Sequence, residues 1–76
     1  MTDLTFGQRA VGYTFNPSGD KDVAEIKRLY GVIIDMVNEL RNESPYDKEK
    51  QRLCSIAITE AQAAQMWAVK AITWKE

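Results

Sequence analysis

The sequence predicts an all-α fold: a short N-terminal arm or helix, then a long antiparallel αα-hairpin, assembled as a homo-oligomer. Three observations carry that expectation. Apolar residues recur at helical spacing from Val23 to Leu40 and again from Leu53 to Trp74. A short, turn-rich link separates the two runs. The second run holds more apolar surface than one neighbouring helix can cover. The 76 residues read as a single domain, with the arm at 1–19, a first helix at 20–42 and a second at 45–75.

The arm, "LTFGQRAVGYTF", sets Phe6, Val11, Tyr13 and Phe15 around Gly7 and Gly12. It suggests a short helical turn leading into an extended stretch whose aromatics pack on the hairpin. In the first long helix Val23, Ile26, Tyr30, Ile33, Val37 and Leu40 form a stripe that Leu29, Val32 and Met36 widen. The opposite side carries Glu25, Arg28, Asp35 and Glu39, a face expected to be solvated. "NPSGD" is turn chemistry, and Asp22 followed by Glu25 has the spacing of a capping box. The helix is expected to end near Arg41.

A second start signal follows in "NESPYDKEK": Ser44 can cap, Pro45 suits the first helical position and Asp47 completes a box. The pattern then runs from about Tyr46 to Trp74 without glycine or proline. A link of about four residues makes the helices antiparallel. In the second helix the seam Ala57, Ala61, Ala64, Ala68 and Ala71, with Leu53, Trp67 and Trp74, spans more than half the circumference. Two packed cylinders meet along one stripe, so the first helix covers roughly a third of it. The remainder needs another partner, and a second copy of the chain is the simplest. Trp67 and Trp74 read first as core or interface anchors, ahead of ligand stacking.

Composition narrows the function. Ten basic and eleven acidic residues give a net charge of −1, without the basic excess of a duplex nucleic-acid binder. The single cysteine, Cys54, excludes an internal disulfide, and the absence of histidine removes the common zinc patterns. A domain this small buries only about 60% of its unfolded surface, which again favours oligomerisation. The start "MTDLTFGQRA" has no signal-peptide pattern, and no apolar run approaches the ~18 residues of a membrane span. A cytoplasmic location is expected. Without histidine neither a triad nor a Cys–His pair can form, and there is no P-loop or dinucleotide fingerprint. Cys54 falls in the apolar arc, where a thiol is buried and inert. Neither enzyme activity nor a cofactor is expected.

Anion binding stays open. The narrow polar strip of the second helix carries Arg52, Thr59 and Lys70, with Ser55, Gln62 and Thr73 beside it. On the first helix Lys27 lies where the apolar and polar faces meet, on the side of Gly31 and Asn38. Each such cation alone is first a stem covering apolar surface. Two or more converging near Tyr13 would instead form a phosphate-and-base pocket.

Two segments carry a family resemblance. "GYTFNPSGDKDVAEIK" and "SIAITEAQAAQMWAVKAITW" resemble the phage anti-CBASS cyclic-oligonucleotide sponges, the anti-CBASS protein two family, whose helical hairpin recurs in an anti-Thoeris sponge. The similarity runs from about Phe6 to Trp74, and its most specific element is the "MWAVKAIT" run with the alanines before it. The resemblance implies a small helical protein, hexameric and without enzymatic activity, in the cytoplasm of the infected bacterial host. It implies sequestration of cyclic nucleotide second messengers, such as 3′,3′-cyclic GMP–AMP and possible cyclic trinucleotides, which starves the CBASS effector. Tyr13 in "GYTF" and Lys27 in "AEIKRL" match the family's dinucleotide site. Lys70 in "WAVKAIT" matches a basic residue of its trinucleotide site, and a lysine in place of an arginine there grips phosphate less firmly. The anti-Thoeris relative has an extra β-rich portion with no counterpart here, so cyclic ADP-ribose is not the expected ligand. The residues alone slightly favour a hairpin assembly or interaction module of a phage that binds no small molecule. The resemblance reverses that order.

Overall fold

Three helices account for most of the chain: α1 (Phe6–Ala10), α2 (Lys21–Asn42) and α3 (Lys48–Ile72). The computed structural model describes residues 3–75; residues 1, 2 and 76 of the expected domain lie outside them. Helix α1 opens with a reciprocal cap. The Gln8 N–H donates to Thr5 Oγ1 (3.0 Å), and the Thr5 N–H donates to Gln8 Oε1 (2.8 Å). Five residues cannot hold a helix by propensity alone. Helix α1 is held from outside, by the Gly7 N–H donating to the Asp35 carboxylate at 2.6 Å and by close contact of Gly7 with Gly31.

Helix α2 begins after Asp20, whose carboxylate accepts from the backbone N–H of Asp22 (2.7 Å) and Val23 (3.1 Å). The cap is therefore Asp20, not the expected Asp22–Glu25 box; Glu25 pairs with Arg28 instead. The preceding turn forms as its residues suggest, with Ser18 Oγ donating to Asn16 Oδ1 and Gly19 at φ 66°. The helix ends at Asn42, one residue beyond Arg41.

The expected start of the second helix at Pro45 is corrected. Residues Ser44–Asp47 form a turn (Asp47 N–H to Ser44 O, 3.2 Å), and Asp47 itself caps α3 by accepting from the Lys50 N–H at 3.0 Å. Two capping signals compete here, and the later one prevails. Tyr46 is 97% exposed, so an earlier turn would bury nothing. At the other end the helix stops at Ile72 with Thr73 as its cap, which leaves Trp74 beyond it.

The core is small: Val11, Ile34 and Ile58, flanked by Tyr13, Tyr30, Val37 and Ala61. Along α2 the buried line is Val23, Lys27, Gly31 and Ile34. The expected stripe is thus rotated, and Ile33, Met36 and Leu40 are exposed. The reason is chemical. Lys27 and Gly31 do not register as apolar, yet a lysine stem and a bare backbone are what the N-terminal arm packs against. Asp35, expected on the solvated face, is half-buried and anchors α1. Cys54 is a buried free thiol, as its position in the apolar arc implies.

The molecule measures 47 × 33 × 12 Å along its principal axes. Its shortest dimension is small, so the molecule is a thin slab. Outside the face that the arm covers, much apolar surface stays open. Leu29, Val32, Ile33 and Met36 stand exposed on α2, and Leu53, Ile56, Met66 and Trp67 on α3. Trp67 and Trp74 belong to no core of their own chain, being 69% and 63% exposed.

The contact between Gly7 and Gly31 is one-sided. A Cβ on Gly7 would overlap the Gly31 carbonyl oxygen and come within 2.9 Å of the Asp35 carboxylate. A Cβ on Gly31 would meet only ordinary contacts at 3.6 Å. Gly7→Ala is expected to lower stability by about 1–3 kcal/mol through overpacking. Gly31→Ala is expected to be neutral or to stabilise by up to about 1 kcal/mol through helix propensity. Urea unfolding of both variants at one fixed protein concentration distinguishes the two; equal destabilisation would contradict this packing.

Candidate functional site

The buried line of α2 carries a charge into the interior. Lys27 follows Val23 by one turn and faces the loop Gly12–Phe15. Gly12, at φ 63°, reverses the chain after α1, and the carbonyls of Gly12 and Phe15 converge on one point. The Lys27 Nζ donates to both, to Gly12 O at 2.9 Å and to Phe15 O. The Phe15 ring stands over it, 5.5 Å from its centroid to Nζ. Lys27 is only 6% exposed. Among the described residues its nitrogen pairs with no carboxylate; the ion pairs there are Glu25–Arg28 and Glu49–Arg52. Buried charges are ordinarily paired. This one is balanced by two carbonyl dipoles and a ring face, and an ammonium has a third proton to donate.

Two clefts meet at Lys27 and Phe15. One of about 310 Å³ is walled by Val23, Val69 and Thr73 in addition to that pair. The other, about 560 Å³, adds Arg9, Gln62, Gln65 and Met66. Both are of the size that takes a small organic ligand. Together they offer two cations, an aromatic face, amides and apolar walls.

Of the five residues expected to contact a ligand, only Lys27 lines these clefts; Gln62 and Thr73, beside the polar strip, line them too. Tyr13 packs against the core cluster. Lys70 is exposed on α3, its Nζ 5.8 Å from the Trp67 ring centroid and 5.9 Å from that of Trp74. Arg52 makes a forked pair with Glu49, Nε to Oε1 at 2.9 Å and Nη2 to Oε2 at 2.7 Å. That hydrogen bond holds the guanidinium pKa above its ordinary value and the Glu49 carboxyl below its own. Arg52 lies near the link end of the hairpin, beside Ser55, which accepts from Arg41 at 3.0 Å. Lys27 and Arg41 are separated by 14 helical residues, about 21 Å at the rise of an α-helix. Thr59 is exposed near the middle of α3. One chain alone therefore does not gather Tyr13, Lys70, Arg52 or Thr59 around Lys27.

Phe15, Arg9 and Gln65 were not read from sequence as site residues. Phe15 stood in the same "GYTF" segment as Tyr13, two positions on. Gln62 was noted only as a neighbour of the polar strip; its Nε2 donates to Ala10 O at 3.0 Å and ties α3 to α1. Gln65 carries no sequence signal, because its burial depends on the arm closing over α3.

A family model described as "Acb2/Tad1, hairpin domain" matches residues 8–73. The chain belongs to this family. It is the anti-CBASS and anti-Thoeris sponge family to which the two sequence segments pointed. No curated protein and no solved structure matches the chain. The matched region contains every named wall of both clefts, from Arg9 to Thr73. Among the described residues no group of acidic, cysteine or histidine side chains could hold a metal ion, and no helix is long and apolar enough to cross a membrane.

Lys27 has a structural task as well as a charge. Lys27→Met would keep the stem but leave the carbonyls of Gly12 and Phe15 without their donor, at a cost of about 1–3 kcal/mol. Arg9→Ala, at an exposed position, is expected to change stability by less than about 0.5 kcal/mol. Denaturant midpoints of the two variants test this. A Lys27→Met protein as stable as the parent would show that the loop does not depend on the ammonium.

Proposed function

We propose that this protein is a phage sponge that binds cyclic nucleotide second messengers, holds them intact and so blocks activation of CBASS effectors in the cytoplasm of the infected bacterium. The observation that carries the reading is the buried, carboxylate-free ammonium of Lys27 at the junction of two clefts. An anion arriving there completes a charge that the fold leaves uncompensated, and a charge-assisted hydrogen bond to phosphate is the strong kind. The Phe15 ring, the apolar walls and the amides of the larger cleft suit a base beside that phosphate. Family membership supports the same ligand class.

The sponge works as a homo-oligomer, a hexamer by the family pattern. The exposed apolar residues of a thin molecule support self-association, since a soluble monomer rarely leaves patches of that extent open. Assembly would also give Tyr13, Lys70, Arg52 and Thr59 their place as ligand contacts, by bringing them from neighbouring copies. Lys70 between two indoles is suited to a second ligand, a cyclic trinucleotide, with the rings as stacking surfaces. The sequence has no histidine, and among the described residues no group of acidic or cysteine side chains could hold a metal ion, so the bound messenger is expected to survive.

Calorimetric titration with a panel of cyclic di- and trinucleotides tests the reading, followed by chromatography of the ligand released on denaturation. Binding with full recovery of the cyclic form is expected. Absence of binding across the panel would leave the hairpin as an assembly module, and linear products in proportion to protein would make it an enzyme. Light scattering at micromolar concentration is expected to give a mass several times that of one chain. A monomer would leave the ligand contacts confined to the Lys27 clefts.

A further inference from the structure

One polar side chain in the larger cleft has no structural employment. Gln65 is 5% exposed on the face of α3 that the arm covers. Gln62, one turn earlier, spends its Nε2 on Ala10 O. No hydrogen bond to the Gln65 amide occurs among the described residues. Yet no fully buried side-chain nitrogen or oxygen there lacks a partner. The Gln65 amide is therefore not fully enclosed, and the residue forms a wall of the cleft together with Arg9, Phe15 and Lys27. A mostly buried amide with no protein partner leaves its donor and acceptor to a ligand.

We infer that Gln65 is a specificity-determining residue of the cleft, its amide reading the edge of an adenine base whose phosphate is held at Lys27. This rests on the cyclic-nucleotide reading given above. A primary amide offers one acceptor and one donor side by side. Adenine presents the complementary pair at N6 and N7, which is why glutamine pairs with that edge in two hydrogen bonds. The carbonyl oxygen of Gln65 accepts from the 6-amino group, and its amide nitrogen donates to N7. The ring then lies against Phe15 and Met66, which supply apolar contact without sequence preference. The side chain is already mostly buried in the free protein, so ordering its amide on a base costs less than ordering a solvent-exposed glutamine.

The test is a cycle of two protein forms and two ligands. The parent and Gln65→Met are titrated with 3′,3′-cyclic GMP–AMP and with its analogue in which unsubstituted purine replaces adenine. Methionine keeps the length of the side chain and suits a wall that already contains Met66 and Val69, and the thermal midpoint and oligomer mass of both forms are compared first. The parent is expected to lose about fivefold or more in affinity when the 6-amino group is removed. Gln65→Met is expected to bind both ligands alike, near the affinity of the parent for the analogue. An equal loss in both forms overturns the assignment, as does a Gln65→Met affinity equal to that of the parent. A parent that binds only guanine ligands also overturns it. A parent that binds no cyclic nucleotide refutes the sequestration reading itself. If Gln65→Met shifts the midpoint or the mass, Gln65→Leu takes its place in the same cycle.

Discussion

The ammonium of Lys27 holds the arm to the hairpin. Its two bonds to Gly12 O and Phe15 O fix the loop that follows α1, and that loop brings Val11 into the core against Ile34 and Ile58. Desolvating a lysine is unfavourable unless its donors are met, and here carbonyl oxygens meet two of them while no carboxylate cancels the charge. On the proposed reading, structure and function draw on the same group. The interaction that orders the arm also places an unbalanced positive charge where two clefts meet. An anion at that point would strengthen the electrostatic environment of a group that is already positioned, with little reorganisation.

The second constraint is thickness. A chain whose shortest dimension is 12 Å leaves little room for a core between layers. Among the described residues five apolar side chains are buried, three of them in one cluster with partly buried neighbours. Polar contacts between elements carry much of the remaining definition: Asp35 to Gly7, Gln62 to Ala10, and Arg41 to Ser55. The exposed tryptophans and the apolar row Leu29–Ile33–Met36 make sense as surfaces between copies, where their burial would supply what the monomer core lacks.

Helix number, order and antiparallel pairing were legible because they depend on periodicity and turn chemistry, both local properties. The element edges were less so. Asp20 and Asp22, or Ser44 and Asp47, are equivalent capping signals in sequence, and the choice between them depends on what the first turn can bury. The face of α2 was misjudged because a hydrophobic count gives no weight to Lys27 or Gly31, the residues nearest the arm. Lys27 could be picked out as a cation at the border of two faces, but its carbonyl partners come from a loop defined by Gly12. Phe15 and Gln65 enter the site only through that loop. On the proposed reading, contacts of Tyr13, Lys70, Arg52 and Thr59 with a ligand would come from neighbouring copies, which no single-chain pattern encodes.

The central claim is that the Lys27 ammonium is where the anion docks. Nuclear magnetic resonance of the lysine side-chain nitrogens, with and without 3′,3′-cyclic GMP–AMP, tests it most directly. The account predicts that the Lys27 Nζ resonance shifts on titration, together with the backbone amides from Gly12 to Phe15, and that its protons become protected from exchange. Shifts confined to Lys70, Trp67 and Trp74, with Lys27 unchanged at saturation, would contradict it.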